Sequence, residues 1–170
     1  MEAFPVELPI TTSDGIFLAQ YSSQGLAGLF FPHADGLVPS GRAYNARQIP
    51  LPILRWHRTT TDVVKAVLAG RKVKTLPPLD WSGTTKFQQA VWSAMMKLGP
   101  GKTRSYGEIA MKIGRPRAVR AVGSACGANP FPLIVPCHRI LAAHGKIGGY
   151  GSGLEWKRTL LAREGIRCSD

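Results

Sequence analysis

An α+β fold is what the sequence predicts, with a small strand-and-helix domain over residues 1–80 and a mainly helical domain over 81–170. Three features carry that reading. DGIFLAQY (14–21) and GLAGLFF (25–31) alternate bulky with small or polar residues across a Gln24-Gly25 turn, as the strands of a hairpin do. LPPLDWSG (76–83) has the composition of a linker. Beyond it, Thr85-Lys86-Phe87-Gln88 and Ser105-Tyr106-Gly107-Glu108 each place a hydroxyl three residues before Gln or Glu, the pattern that opens a helix.

The remaining elements follow in order. From His33 to Arg58, prolines and glycines leave no clean period, and the segment reads mostly as loop. Thr61 caps a helix through Ala69, with Val63, Val64, Val67 and Leu68 on one face and Gly70 past its end. After Thr85, Phe87, Val91, Met95 and Leu98 stripe a helix that Gly99-Pro100 stops. The helix after Ser105 carries Ile109 and Ile113 inward and ends at Gly114. A third takes Pro116 into its first turn. Val119, Val122 and Cys126 then share one face, leaving Arg117, Arg120, Ala118, Ala121 and Ala125 on the others. Two short helices around a glycine-containing turn make a helix-turn-helix pattern. LIVPCHRIL (133–141) is an apolar run that reads as a buried strand up to Cys137, His144-Gly145 as a turn, KIGGYGSG (146–153) as a glycine-rich loop and EWKRTLLAREG as a last helix.

Charge narrows the partner. Lys and Arg outnumber Asp and Glu by 22 to 10 in 170 residues, a formal net charge of +12 that attracts polyanions, nucleic acid first. No stretch approaches the roughly 20 apolar residues of a membrane span, and MEAFPVELPITTSDG lacks the basic-then-apolar order of a secretion signal, so an intracellular protein with no membrane contact is expected. Cys126, Cys137 and Cys168 are odd in number and far apart, with no CxxC pair for zinc or redox chemistry.

Cys137 is the candidate nucleophile. It comes just after the buried-looking strand and stands between Pro136 and His138, where a strand end would hold its sulfur. A thiol with a pKa of about 8.5 is mostly protonated near neutrality and needs a base or cation close by; His138 and Arg139 are the neighbours. Adjacent strand residues face opposite ways, so His138 reaches the sulfur only through a backbone turn or a bridging water. A buried, inert cysteine beside a structural histidine fits the same spacing. The helix-turn-helix, with basic residues on its second helix, points to DNA. That helix exposes small residues and few side chains able to read base edges, which suits close, sequence-tolerant docking.

Taken together, FQQAVW (87–92), SYGEIA (105–110), RAVGSACGANP (120–130), IVPCHRI (134–140), GGY (148–150) and LLAREG (160–165) resemble, in order and spacing, the C-terminal domain of the O6-alkylguanine-DNA alkyltransferases, also called methylated-DNA-protein-cysteine methyltransferases. The first 80 residues match only in outline. The resemblance implies a ribonuclease H-like arrangement there and a winged-helix-like C-terminal domain. It implies that Cys137 accepts the alkyl group irreversibly, once per molecule. His138 would be the base through water, Glu164 would orient the imidazole, Tyr106 would assist departure of the guanine at N3, and Asn129 would brace the turn before the nucleophile. Arg120 would fill the gap left by a flipped-out base, with Ala118, Ala121, Arg117 and Arg139 along the DNA. Pro136, Ile140, Tyr150, Gly151 and Ser152 would wall the base pocket.

The partner so implied is double-stranded DNA containing O6-alkylguanine, met by a monomer, with cooperativity along DNA left open. No cofactor and no metal are expected, since the first 80 residues contain no cysteine to hold a structural zinc. Gly151 departs from relatives with serine there, although a backbone N–H still reaches a base. Location would follow the DNA: cytoplasm in a prokaryote, nucleus in a eukaryote. Three other readings compete: a non-catalytic alkylguanine sensor that recruits other repair proteins, a transcriptional regulator and a cysteine hydrolase. The sensor resembles the same family but lacks the acceptor cysteine, which this chain keeps.

Overall fold

A computed structural model describes residues 5–32 and 49–169. It divides into two compact units, Met1–Lys65 with Val73–Ser82 and Ala66–Lys72 with Gly83–Asp170. The predicted loop between 33 and 48 lies outside the described residues. Among the described residues no helix is long and apolar enough to cross a membrane.

The first unit is built on an antiparallel sheet in the order β1 (Val6–Thr12), β2 (Gly15–Tyr21), β3 (Leu26–Phe30). The hairpin predicted over 14–31 is β2 and β3, with Ala19 opposite Leu29. Strand β1 is an addition to the sequence reading: Pro9 interrupts its apolar pattern, but an edge strand tolerates a residue with no N–H to give. Phe17, Leu18, Ala19 and Tyr21 of the central strand are all buried. The segment 76–83 is more than a linker. Leu79 pairs with Leu26, whose N–H donates to the Pro78 carbonyl at 2.8 Å and whose carbonyl accepts from Asp80 N–H at 2.8 Å.

Helix α1 (Leu51–Leu68) corrects the sequence reading, which began it ten residues later at Thr61 and gave 49–58 to loop. Pro52 sits in the first turn, where a missing N–H costs nothing. Thr61, which suggested a start, is interior to the helix, and the two threonines before it bond within it: Thr60 Oγ1 donates to the Trp56 carbonyl at 2.8 Å and Thr59 Oγ1 to that of Arg55 at 3.2 Å. Val63, Val64, Val67 and Leu68 are buried as their spacing predicts.

In the second unit, α2 (Lys86–Met95) and α3 (Tyr106–Lys112) both begin with a complete capping box, at Thr85 and Ser105. Helix α4 (Val119–Gly127) starts later than predicted, leaving Pro116 in the preceding turn. Its inner face is also rotated. Val122 and Ala125 are buried, whereas Val119 is 40% exposed and Cys126 half-buried. The Trp92 indole fixes that face by donating to the Ala125 carbonyl at 2.8 Å.

The run 133–141 is not the predicted strand. Leu133 takes a left-handed φ of 72°, Pro132 bridges to Val135, Cys137–Arg139 form a 3-10 turn, and only Ile140–Leu141 (β5) is strand, pairing in parallel with Arg104–Ser105 (β4). Every residue from 131 to 141 is buried, so the apolar run is core without being sheet. His144 and Gly145 turn with positive φ before helix α5 (Leu154–Arg163).

Candidate active site

Cys137, the candidate nucleophile, borders a cavity of about 160 Å³ lined by Tyr106, Gly123, Cys126, Gly127, Cys137, Gly149, Tyr150 and Gly151. The 3-10 turn aims Cys137 there while its N–H donates to the Val135 carbonyl at 2.8 Å. Asn129, two residues past the end of α4, locks this approach. Its Nδ2 donates to the Val135 carbonyl at 2.9 Å and to Cys137 Sγ at 3.2 Å, and its Oδ1 accepts from Phe131 N–H at 2.9 Å. One amide therefore ties the end of α4 to the thiol. Burial raises the Cys137 pKa, and the Asn129 hydrogen bond, Lys157 and Tyr150 only partly offset that effect. At rest this is a protonated thiol, which would have to lose its proton to act as a nucleophile.

On the far side of the turn, His138 and Arg139 converge on one carboxylate. Glu164, the C-cap of α5, lies 3.0 Å from His138 Nε2 and accepts from Arg139 Nη2 at 2.8 Å, Arg139 Nε at 3.0 Å and Gly101 N–H at 3.0 Å. Arg139 Nη1 also donates to the Leu98 carbonyl. The His138 and Glu164 side chains are 0% and 1% exposed. Burial works to raise the Glu164 carboxyl, but the His138 and Arg139 hydrogen bonds outweigh it and hold it at about 2. Burial lowers the His138 pKa, against the pull of Glu164, so the imidazole is neutral near pH 7. An ionised carboxylate can only accept, so the imidazole proton lies on Nε2 and Nδ1 carries the lone pair. That Nδ1 is buried and has no hydrogen-bond partner among the described residues.

Lys157 is the residue the sequence reading missed. It is 0% exposed, and its Nζ donates to the Ile140 carbonyl at 2.6 Å and the Gly149 carbonyl at 3.1 Å, joining the nucleophile segment to the glycine loop. A signal existed: Lys157 precedes the buried Leu160 and Leu161 by three and four residues on α5. Cys126, which the sequence places on one face with Val119 and Val122, lines the cavity, as does Gly123 one turn before it. Burial, with Cys137 beside it, pushes the Cys126 thiol up to about 12. Tyr106 is raised by burial first and by the two thiols next, so its phenol stays protonated.

Of the other predicted residues, Tyr150 and Gly151 line the cavity, whereas Pro136, Ile140 and Ser152 are not among its lining residues. Ile140 is fully buried and offers only its carbonyl, to Lys157. Arg117, Arg120 and Ala121 are exposed and Ala118 is half-buried, around the start of α4. Arg139 requires correction as a DNA contact: it is 5% exposed and its guanidinium is spent on Glu164 and Leu98, so it cannot reach a phosphate.

Known proteins resemble this chain in sequence and fold. The family model for the 6-O-methylguanine DNA methyltransferase DNA-binding domain matches residues 86–166. A methylated-DNA-protein-cysteine methyltransferase of Mycobacterium bovis is 51% identical over 107 residues, 63% of this chain and 64% of that protein. The matched segment thus spans just under two thirds of the relative. The crystal structure of Mycobacterium tuberculosis OGT in complex with DNA superposes with a TM-score of 0.72 and 37% identity, covering 94% of this chain and 92% of the other. That of the Mycobacterium tuberculosis O6-methylguanine methyltransferase gives 0.71 and 35%, covering 95% and 93%. Similarity of this extent, over nearly the whole of both chains, places the protein in the O6-alkylguanine-DNA alkyltransferase family, and the chain belongs to it.

Proposed function

We propose that the protein repairs O6-alkylated guanine in duplex DNA by direct reversal, moving the alkyl group to Cys137 once per molecule. One observation carries the reading: a buried cysteine lines a base-sized cavity, and the next residue is a neutral histidine whose Nδ1 lone pair has no partner among the described residues. The Cys137 sulfur attacks the carbon on O6, the S–C bond forms as the C–O6 bond breaks, and the thiol proton passes through a water to His138 Nδ1. Glu164 holds the imidazole in the required tautomer and stabilises its protonated form. Guanine departs with a proton or hydrogen bond at N3 from the Tyr106 phenol, which burial keeps protonated. The product is a thioether with no leaving tendency, so the site does not turn over.

The target carbon lies within stacked DNA and must be rotated out, at an unstacking cost of a few kcal/mol. Arg120, exposed near the start of α4, takes the vacated place, while Ala118, Ala121 and Arg117 lie along the minor groove. The backbone at Gly151 and Ser152 contacts the base. On this reading residues 81–170 are a winged-helix-like DNA-binding and acceptor domain, and 1–80 a structural domain of ribonuclease H-like arrangement. The protein acts as a monomer, in the compartment that holds the DNA.

Incubation with a tenfold excess of duplex containing O6-methylguanine tests the reading. One equivalent of repaired duplex per protein is expected; continued turnover would make it a hydrolase, and tight binding without repair a damage sensor. Arg120→Ala should slow repair in duplex far more than reaction with free O6-alkylguanine, and equal losses would remove Arg120 from the flipping role.

A further inference from the structure

The reaction proposed for Cys137 leaves a second thiol on the same cavity without a task. Four of the eight lining residues are glycines, so the side chains that border the space are those of Tyr106, Tyr150, Cys126 and Cys137. Asn129 bonds to both cysteines: its N–H donates to the Cys126 carbonyl at 3.3 Å and its Nδ2 to Cys137 Sγ at 3.2 Å. Charge on Cys137 raises the Cys126 thiol, and charge on either raises the Tyr106 phenol, as groups only a short way apart do. Cys168, the third thiol, is not among the lining residues.

Two free thiols on one small cavity are the reactants of a disulfide. Cys126 Sγ donates to Met95 Sδ at 3.6 Å, and Met95 is 0% exposed, so the core backs this thiol and the cavity is its open side. A disulfide brings its two β-carbons to about 3.5–4.5 Å. Closing the 3-10 turn of Cys137 toward the last turn of α4 uses up empty space, because Gly123 and Gly127 put no side chain in the way. The buried position of Cys137 restricts the oxidant to a small molecule.

We propose that Cys126 is the resolving partner of Cys137: a hydroperoxide entering the cavity converts the pair to an intramolecular disulfide, which withholds the acceptor and returns it on reduction. Cys137 gives its proton, through water, to His138 Nδ1, and its sulfur attacks one peroxide oxygen. The S–O bond forms as the O–O bond breaks, and the departing oxygen takes up that proton and leaves as water. The Cys126 sulfur then attacks the sulfenic sulfur of Cys137. The S–S bond forms, the S–O bond breaks, and the hydroxyl leaves as water with the Cys126 proton. Both thiols are oxidised, and the peroxide is fully reduced to water. Without Cys126 the sulfenic acid would advance to sulfinic acid, which thiols do not reverse. For an acceptor that works once, that loss is permanent.

Only the effect on repair rests on the alkyl-transfer reading; the bond itself forms or fails independently, and peptide mass reads it. Arg120 and Arg139 bound one tryptic peptide, 121–139, that holds both cysteines. The protein is treated with hydrogen peroxide and free thiols are blocked with iodoacetamide. Peptide 121–139 is then weighed, with and without dithiothreitol, alongside repair of a duplex carrying O6-methylguanine. In wild type the oxidised peptide should be lighter by the pair of hydrogens lost and take up no iodoacetamide until reduced. Repair should fall as that peptide accumulates and return to at least about half its starting level after dithiothreitol. Cys126→Ala under the same treatment should gather sulfinic acid on Cys137 and recover less than about a tenth of its own starting level. Cys126→Ser takes its place if the alanine variant does not fold. Wild type that never repairs the duplex would sink the transfer reading alone, since the peptide mass still decides the bond. Both wild-type thiols staying open to iodoacetamide, Cys137 oxidised while Cys126 stays free, or a Cys126 variant recovering as fully as wild type would overturn the proposal.

Discussion

Cys137→Ser is expected to abolish alkyl transfer, lowering the single-turnover rate at least about a thousandfold, while affinity for duplex DNA stays within about twofold. The thiol is already raised by burial, and its proton must go to a neighbouring base during attack. A serine hydroxyl is far harder to deprotonate, and its smaller oxygen sits farther from Asn129 Nδ2, now 3.2 Å from the sulfur. The same burial predicts that DNA binding is spared, because no phosphate can reach this side chain. Rate is read from repair of a labelled duplex and affinity from fluorescence anisotropy. Residual transfer in the variant would move the acceptor elsewhere, with Cys126 first to be tested because it lines the same cavity.

Removing Glu164 should have the largest effect on stability. Its carboxylate is the shared acceptor of the His138 imidazole, the Arg139 guanidinium and the Gly101 amide. In Glu164→Ala the buried Arg139 loses its counter-charge and keeps only the Leu98 carbonyl among these partners. Leaving one member of a buried pair uncompensated costs about 3–5 kcal/mol, which for a chain of this size lowers Tm by about 10 °C. Transfer should also fall, even well below the new Tm, because nothing then holds His138 Nε2–H and the tautomer that frees Nδ1. A variant melting within about 2 °C of wild type would show that Glu164 does not organise the two side chains.

The same cluster fixes the sign of the pH dependence. The folded Glu164 carboxyl is held near 2 against an ordinary 4.5, so its contribution is complete above 4.5 and lost as pH falls from there toward 2. The folded His138 is lowered from 6.5, so below that value the unfolded chain binds a proton that the folded one resists. Both act in one direction. Wild-type stability should decline from about pH 6.5 downward, and Glu164→Ala should lack the part below 4.5.

How far the sequence alone reaches depends on whether a feature is local. The β2–β3 hairpin and both capping boxes are local, and each is where its turn or cap residues place it. Cys137 and His138 stand out from their place in the chain, but the proposed role of Glu164 rests on the motif resemblance, since no spacing rule relates a histidine to a carboxylate 26 positions away. What could not be read depends on distant backbone. An apolar run such as 133–141 suits a strand as well as a buried turn, and nothing in Leu133 announces a left-handed φ. Arg139 looks like a DNA contact until Glu164 and the Leu98 carbonyl are seen to enclose it, and Lys157 looks like a surface lysine until two carbonyls from other segments capture it. The face of α4 was misjudged by about one position, because its small residues give only a weak pattern and Trp92 decides which side turns inward.

The central claim is that Cys137 itself takes the alkyl group from DNA. Its most direct test mixes the protein with an equimolar duplex carrying one O6-methylguanine and follows intact mass and the modified peptide by mass spectrometry. One added methyl group per molecule is expected, on the peptide containing Cys137, with guanine restored in the duplex. Tight binding of that duplex with no change in protein mass, or a methyl group on a different residue, would contradict it.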